Sequence, residues 1–126
     1  MSKLELIDEL RRNGAVFCEA QIVFITRDST GQIVWLEQGN AQAGLRHILG
    51  RHADDFKKAL GLLENEIPIF LEKAVSLGTI VSNNISRGGT GYTRVYDYDG
   101  KYFTVTAIGT NGFIVTAYPT PKEVRL

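Results

Sequence analysis

The spacing of apolar residues predicts an opening helix, an early hairpin, two further helices and a terminal run of strands. Leu4, Ile7 and Leu10 fall on one helical stripe. Ser2 with Glu5 makes a capping box ahead of it, and Asn13-Gly14 is a stop signal. Ile22–Thr26 and Ile33–Leu36 are β-branched and aromatic runs, and Asp28-Ser29-Thr30-Gly31 between them has turn chemistry. They read as a hairpin. Asn40 then caps a helix from Ala41 to Leu63, with a break possible near Gly50. On its wheel Leu45, Ile48, Leu49, His52 and Phe56 share one stripe, while His47 and Arg51, four apart, share the opposite side. A third helix spans Pro68–Leu77, with Ile67, Phe70, Leu71, Ala74 and Val75 as its apolar face and Gly78 as its stop. After it come a short strand at Thr79–Ser82, a loop at Ser86–Gly91, and strands near Tyr92–Tyr98, Tyr102–Ile108 and Phe113–Tyr118.

The pattern is that of an α+β domain, with helices on one face of an antiparallel sheet of about four strands. Its segments are an N-terminal helix and hairpin (1–39), a helical stretch (41–77) and the sheet (79–119). Two registers compete at Asp99-Gly100. A two-residue hairpin pairs Tyr98 with Lys101; a bulged turn pairs Tyr96 with Tyr102 and Arg94 with Thr104. The second gathers Val95, Phe103, Val105 and Ala107 on one face, so it is preferred. A bulged turn with Gly112 left-handed then pairs Ile108 with Ile114, Thr106 with Thr116, and Thr104 with Tyr118. In that register Arg94, Tyr96, Thr104, Thr106, Thr116 and Tyr118 lie on an open polar face, and the helices cover the other.

Composition narrows the class. The 126 residues carry 14 Lys+Arg against 14 Asp+Glu, and 44% are apolar, which suits one soluble domain. No apolar run reaches the length of a membrane span, and the N-terminus lacks the basic-then-apolar layout of a signal peptide. The lone Cys18 excludes an intrachain disulfide and a cysteine-rich zinc site. Zero net charge argues against indiscriminate binding to polyanions, yet leaves room for a local basic site: Arg46, Arg51, Lys57 and Lys58 cluster around the histidines.

Histidine, arginine and hydroxyls on one surface suit RNA cleavage without a metal or other cofactor. The ribose 2′-hydroxyl is the nucleophile, so a base, an acid and a stabiliser of the phosphorane suffice. Histidine is the residue type suited to either proton role near neutral pH, which makes His47 the candidate base or acid. Arg94 would bind phosphate bidentately, with Thr116 and Tyr118 donating to its oxygens, Tyr96 stacking on a base, and Arg51, Thr104 and Thr106 contacting substrate. Each has a plainer reading. His52 on the apolar stripe reads as a core residue, Arg51 as a helix-end cation, and the Tyr and Thr residues as strand formers. Asp54-Asp55 reads as a helix N-terminal feature rather than a metal pair.

The run Val34-Trp35-Leu36-Glu37-Gln38-Gly39-Asn40, then Ala43–Ile48 and Arg51–Phe56, resembles the C-terminal nuclease domains of bacterial polymorphic toxins of the WapA and CdiA types. Ile67-Pro68, Gly78–Val81, Arg94-Val95-Tyr96, Asp99-Gly100-Lys101 and Asn111–Val115 continue the likeness, which runs from about Ile33 to Pro119. That group is similar to the barnase–EndoU–colicin–RelE-like nuclease fold. The resemblance implies a metal-independent endoribonuclease, often acting on tRNA in the cytoplasm, with or without delivery into a target cell. A cognate immunity protein would neutralise it. The resemblance maps the helical histidines to His47 and His52 and the strand cation to Arg94. The chain departs from the pattern at Thr116-Ala117-Tyr118-Pro119, where small residues and then Asn-Pro are expected; Thr116 and Tyr118 rest on register and on analogy with the wider fold. The alternative is a non-catalytic RNA-binding or protein-interaction module on the same fold, including a phage or mobile-element accessory protein.

Overall fold

Helix α1 (Lys3–Arg12) starts where its capping box sets it. Ser2 Oγ accepts the Glu5 N–H at 3.2 Å, and the Glu5 carboxylate accepts from the Ser2 backbone. The computed structural model describes residues 2–85, 91–98, 102–109 and 111–120; the side chains of 85, 102–107 and 120 lie outside that description. Leu6, Ile7 and Leu10 are the buried face of α1, and Leu4 is exposed. Strands β1 (Ile22–Arg27) and β2 (Ile33–Glu37) pair as the expected antiparallel hairpin. Alternate side chains of a strand point to opposite sides, so the hairpin serves two cores. Phe24, Val34 and Leu36 enter the main one; Ile25, Ile33 and Trp35 pack with α1 in a second.

Helix α2 spans Leu45–Leu60, shorter than expected at both ends and continuous through Gly50. Asn40 does not cap it. Its Oδ1 instead accepts the N–H groups of Gln42 and Ala43 in a local turn, and residues 41–44 form bends. Gly44 is the residue before the helix, at φ 90°, where a Cβ would sit 2.8 Å from the Glu37 carbonyl oxygen. Leu45, Ile48 and Phe56 are buried as the wheel requires. Helix α3 (Ile67–Leu77) has Pro68 in its first turn and buries Ile67, Phe70, Leu71, Ala74 and Val75, the face read from the sequence.

Strands β3 (Thr79–Ile85), β4 (Gly91–Tyr98), β5 (Tyr102–Gly109) and β6 (Ile114–Thr120) form an antiparallel sheet in sequence order. The described chain is therefore α+β, with three α-helices and two antiparallel sheets, one of them four-stranded. Helix α2 lies along β6, and α3 packs on β1 and β4. Among the described residues no helix is long and apolar enough to cross a membrane.

The sheet register corrects two expectations. Tyr98 pairs with Tyr102, Tyr96 with Thr104 and Arg94 with Thr106, two residues away from the preferred pairing. A two-residue slip keeps each residue on its face. The helices, however, cover the face assumed to be open: Tyr96 is fully buried in the main core, Ile80 stands opposite it, and Tyr98 stacks edge-on to Phe70. Residue type misled here, because a tyrosine ring is a large apolar body with one polar tip. The second correction lies in β6. Ile108 pairs with Ile114 as expected, and Gly112 is left-handed at φ 104°. A bulge at Val115 then shifts the pairing, so Thr116 faces Ala107, Ala117 faces Thr106 and Tyr118 faces Val105. Bulges leave one residue out of the ladder. Here the freed Val115 carbonyl accepts the Gly44 N–H at 2.9 Å and ties the start of α2 to the sheet edge. The expected loop residues 86–90 and turn residues 99–100 lie outside the described residues.

Candidate functional site

His47 and His52 stand one and a half turns apart on α2, near the edge strand β6. Their ring centroids are 6.2 Å apart, with planes at 81°. The Tyr118 ring lies 5.2 Å from His52 at 33°, in a tilted stack. The structure brings the rings of His47, His52 and Tyr118 together, with Tyr118 outside the cross-strand row that holds Arg94. The continuity of α2 does not bury His52. Its side chain is 22% exposed, at the margin of the apolar stripe.

Each imidazole is anchored through Nδ1. In His47 this nitrogen lies 2.9 Å from the Ala41 carbonyl oxygen, an acceptor only. In His52 it lies 2.9 Å from Asp55 Oδ2, one turn along the helix. A carbonyl or carboxylate requires a proton on the facing nitrogen, so both neutral rings are assigned as Nδ1–H tautomers. Nε2 is then the atom that accepts or, in the imidazolium, donates. The bends at 41–44 turn the chain so that Ala41 can reach His47.

Arg94 and Tyr96 are not at this cluster. Arg94 is 4% exposed, and one of its terminal nitrogens donates to Asp28 Oδ2 at 2.5 Å. Its Nε donates to Asn83 at 2.9 Å, and the guanidinium sits 4.6 Å over the Tyr92 ring. The Tyr96 hydroxyl also donates to Asp28. Burial pushes the Tyr96 phenol up to about 12, with the neighbouring Asp28 carboxylate pushing the same way against Arg94. Arg94 pairs with Thr106, which pairs with Ala117, so it lies two strands from β6, roughly 10 Å by ordinary strand spacing. The strand cation expected to bind phosphate is thus an interior ion pair, and the ring expected to stack on a base is core.

The Thr116 hydroxyl is buried and finds no partner among the described residues, so it does not line the open side of the cluster. The side chains of Thr104 and Thr106 lie outside the described residues. Arg46 and Arg51, which precede His47 and His52 along α2, are exposed. Among the described residues no three of His, Cys, Asp and Glu converge as metal donors.

Two residues with important contacts carry weak signals or none. Asp55 at three residues from His52 is a legible helical pairing. Asp28 reads only as a turn residue; nothing local announces a partner 66 positions away. No family model matches the chain, and no characterised protein resembles it closely in sequence.

Proposed function

We propose that the chain is a metal-independent endoribonuclease, with His47 and His52 as its proton-transfer pair. The observation that carries the reading is the pair of adjacent imidazoles, each with Nδ1 held by an acceptor and Nε2 left for chemistry. His47, held by a neutral carbonyl, is the base: its Nε2 takes the proton of the ribose 2′-hydroxyl. The 2′-oxygen bonds to phosphorus, the bond from phosphorus to the 5′-oxygen breaks, and His52 Nε2–H gives its proton to that leaving oxygen. The Asp55 carboxylate holds the His52 ring through Nδ1, which leaves Nε2 to face the leaving oxygen. Arg51 supplies the exposed cation that Arg94 does not, and the Tyr118 hydroxyl donates to a phosphate oxygen. The products are a 2′,3′-cyclic phosphate and a 5′-hydroxyl. The nucleophile belongs to the substrate, so the scheme needs no metal-bound water.

The toxin character, tRNA as substrate and a cognate immunity protein extend the same proposal and rest on the motif resemblance. A non-catalytic RNA- or protein-binding module is the competing reading. What favours it is the burial of Arg94, which takes the strand cation away from the histidines.

Purified protein incubated with total tRNA in EDTA tests the choice. Cleavage with cyclic phosphate ends is expected, reduced at least about 10²-fold by His47→Ala and by His52→Ala. Cleavage at the wild-type rate by both variants would reject the mechanism, and RNA binding without turnover would establish the competing reading.

A further inference from the structure

The two histidines differ in what holds them, and that difference points to a third residue. The acceptor behind His47 is main chain, supplied by the bend before α2. The acceptor behind His52 is a side chain, and the opposite restraint is a ring: Asp55 Oδ2 lies 2.9 Å from Nδ1, and Tyr118 stacks at 5.2 Å. The Asp55 side chain is itself 56% exposed and makes no other hydrogen bond or ion pair among the described residues. It contributes nothing to the core. Its position, three residues after His52 on a continuous helix, brings its carboxylate to that ring. Its neighbour Asp54 is exposed and makes no such contact.

We infer that Asp55 is a positioning residue that holds neutral His52 as the Nδ1–H tautomer, so that Nε2 is the atom that takes up and gives back a proton at the site. This rests on the nuclease reading for its consequence but not for its geometry. The carboxylate can only accept, so it selects one tautomer. Asparagine at the same place can present an N–H instead and permits the other. The Tyr118 ring limits tilt, so a correct tautomer also has a fixed direction. In this scheme Asp55 never touches substrate, and its effect falls on turnover rather than on RNA affinity.

The test uses the whole chain and two readouts. Imidazole ¹⁵N shifts, recorded on the alkaline side of the His52 titration, report which nitrogen carries the proton. The wild type is expected to show Nδ1–H at His52, and Asp55→Asn and Asp55→Ala are expected to shift His52 toward Nε2–H, with the His47 signals unchanged. On RNA, kcat is expected to fall on the order of 10²-fold in both variants with KM within about twofold, the scale of a misdirected catalytic group. Asp55→Glu, which keeps an acceptor-only group, is expected to restore part of the rate. Retention of Nδ1–H in Asp55→Ala, or Nε2–H in the wild type, would overturn the assignment. A tautomer shift in a protein that cuts no RNA supports the role of Asp55 at His52 while rejecting the nuclease reading, so the two failures are distinguishable. Helical circular dichroism at the wild-type level confirms that the variants fold.

Discussion

Asp28 is 5% exposed and gathers four donors: the Thr30 backbone and hydroxyl at Oδ1, and Arg94 and Tyr96 at Oδ2. The hairpin turn is thereby fastened to the middle of β4. Buried charge is tolerated only when paired, and removing one partner costs far more than the pair gains. Asp28→Ala is expected to lower unfolding free energy by about 3–5 kcal/mol, since it removes the buried carboxylate that balances the Arg94 charge. A urea midpoint reads this, and a loss below about 1 kcal/mol would show that the guanidinium has another adequate partner. Tyr96 gives the same cluster a pH signature. Its folded phenol is raised to about 12 from the ordinary value near 10 in an unfolded chain. Folding therefore favours the neutral form. The stability it contributes is complete below pH 10, declines between 10 and 12, and is gone above that, a total of about 3 kcal/mol. Denaturant midpoints in that window are expected to fall more steeply in the wild type than in Tyr96→Phe. Parallel curves would place the phenol near its ordinary value. At this scale the sequence was least legible. Arg94 and Tyr96 look like surface chemistry by type, and only a contact with the distant Asp28 turns them into core.

The helices, by contrast, were read closely, because one stripe of apolar residues is enough to orient a helix. The errors sat at ends and in registers, where a single hydrogen bond decides. Asn40 has cap chemistry, yet it spends its oxygen on a turn four residues too early. The bulge at Val115 has no strong marker, and it alone moves Thr116 and Tyr118 out of the row predicted for them. Gly44 joins the bulge to the first turn of α2, since its N–H bonds to Val115 and its own carbonyl accepts the Ile48 N–H. At φ 90° with backbone atoms from residues 37 and 39 within 3 Å of a Cβ, only glycine fits. Gly44→Ala is expected to cost about 1–3 kcal/mol and to reduce activity by displacing the first turn that carries His47. Gly50 is the control. It lies mid-helix, exposed, with open space where a Cβ would stand. Gly50→Ala is expected to stabilise by about 0.5–1 kcal/mol and leave the rate unchanged. Thermal melts and a tRNA cleavage assay on the two variants check both. A destabilised Gly50→Ala would mean that α2 is not the continuous helix described.

The balance of 14 cations and 14 carboxylates hides an uneven layout. Arg46, Arg51, Lys57 and Lys58 are exposed on α2 with the histidines, while Glu64, Glu66 and Glu72 are exposed on and just before α3. Arg94 is engaged inside with Asp28, and the half-buried Arg27 is paired with Glu9. Among the described residues Arg51 and Arg46 are the exposed cations nearest to His47 and His52 in sequence. The number of such cations that meet phosphate sets how an RNA complex responds to salt. Each phosphate neutralised on a single strand contributes about −0.7 to the slope of log K against log salt. Two or three contacts predict a slope of about −2, far shallower than that of a polyanion-coating protein. Binding of an uncleaved 2′-deoxy oligonucleotide across a salt series measures it directly. Arg51→Gln is expected to reduce the slope by about 0.7, the loss of one contact. Lys73→Gln, on α3, is expected to leave it unchanged. A steep slope insensitive to Arg51 would move the RNA surface off α2 and separate it from the two histidines.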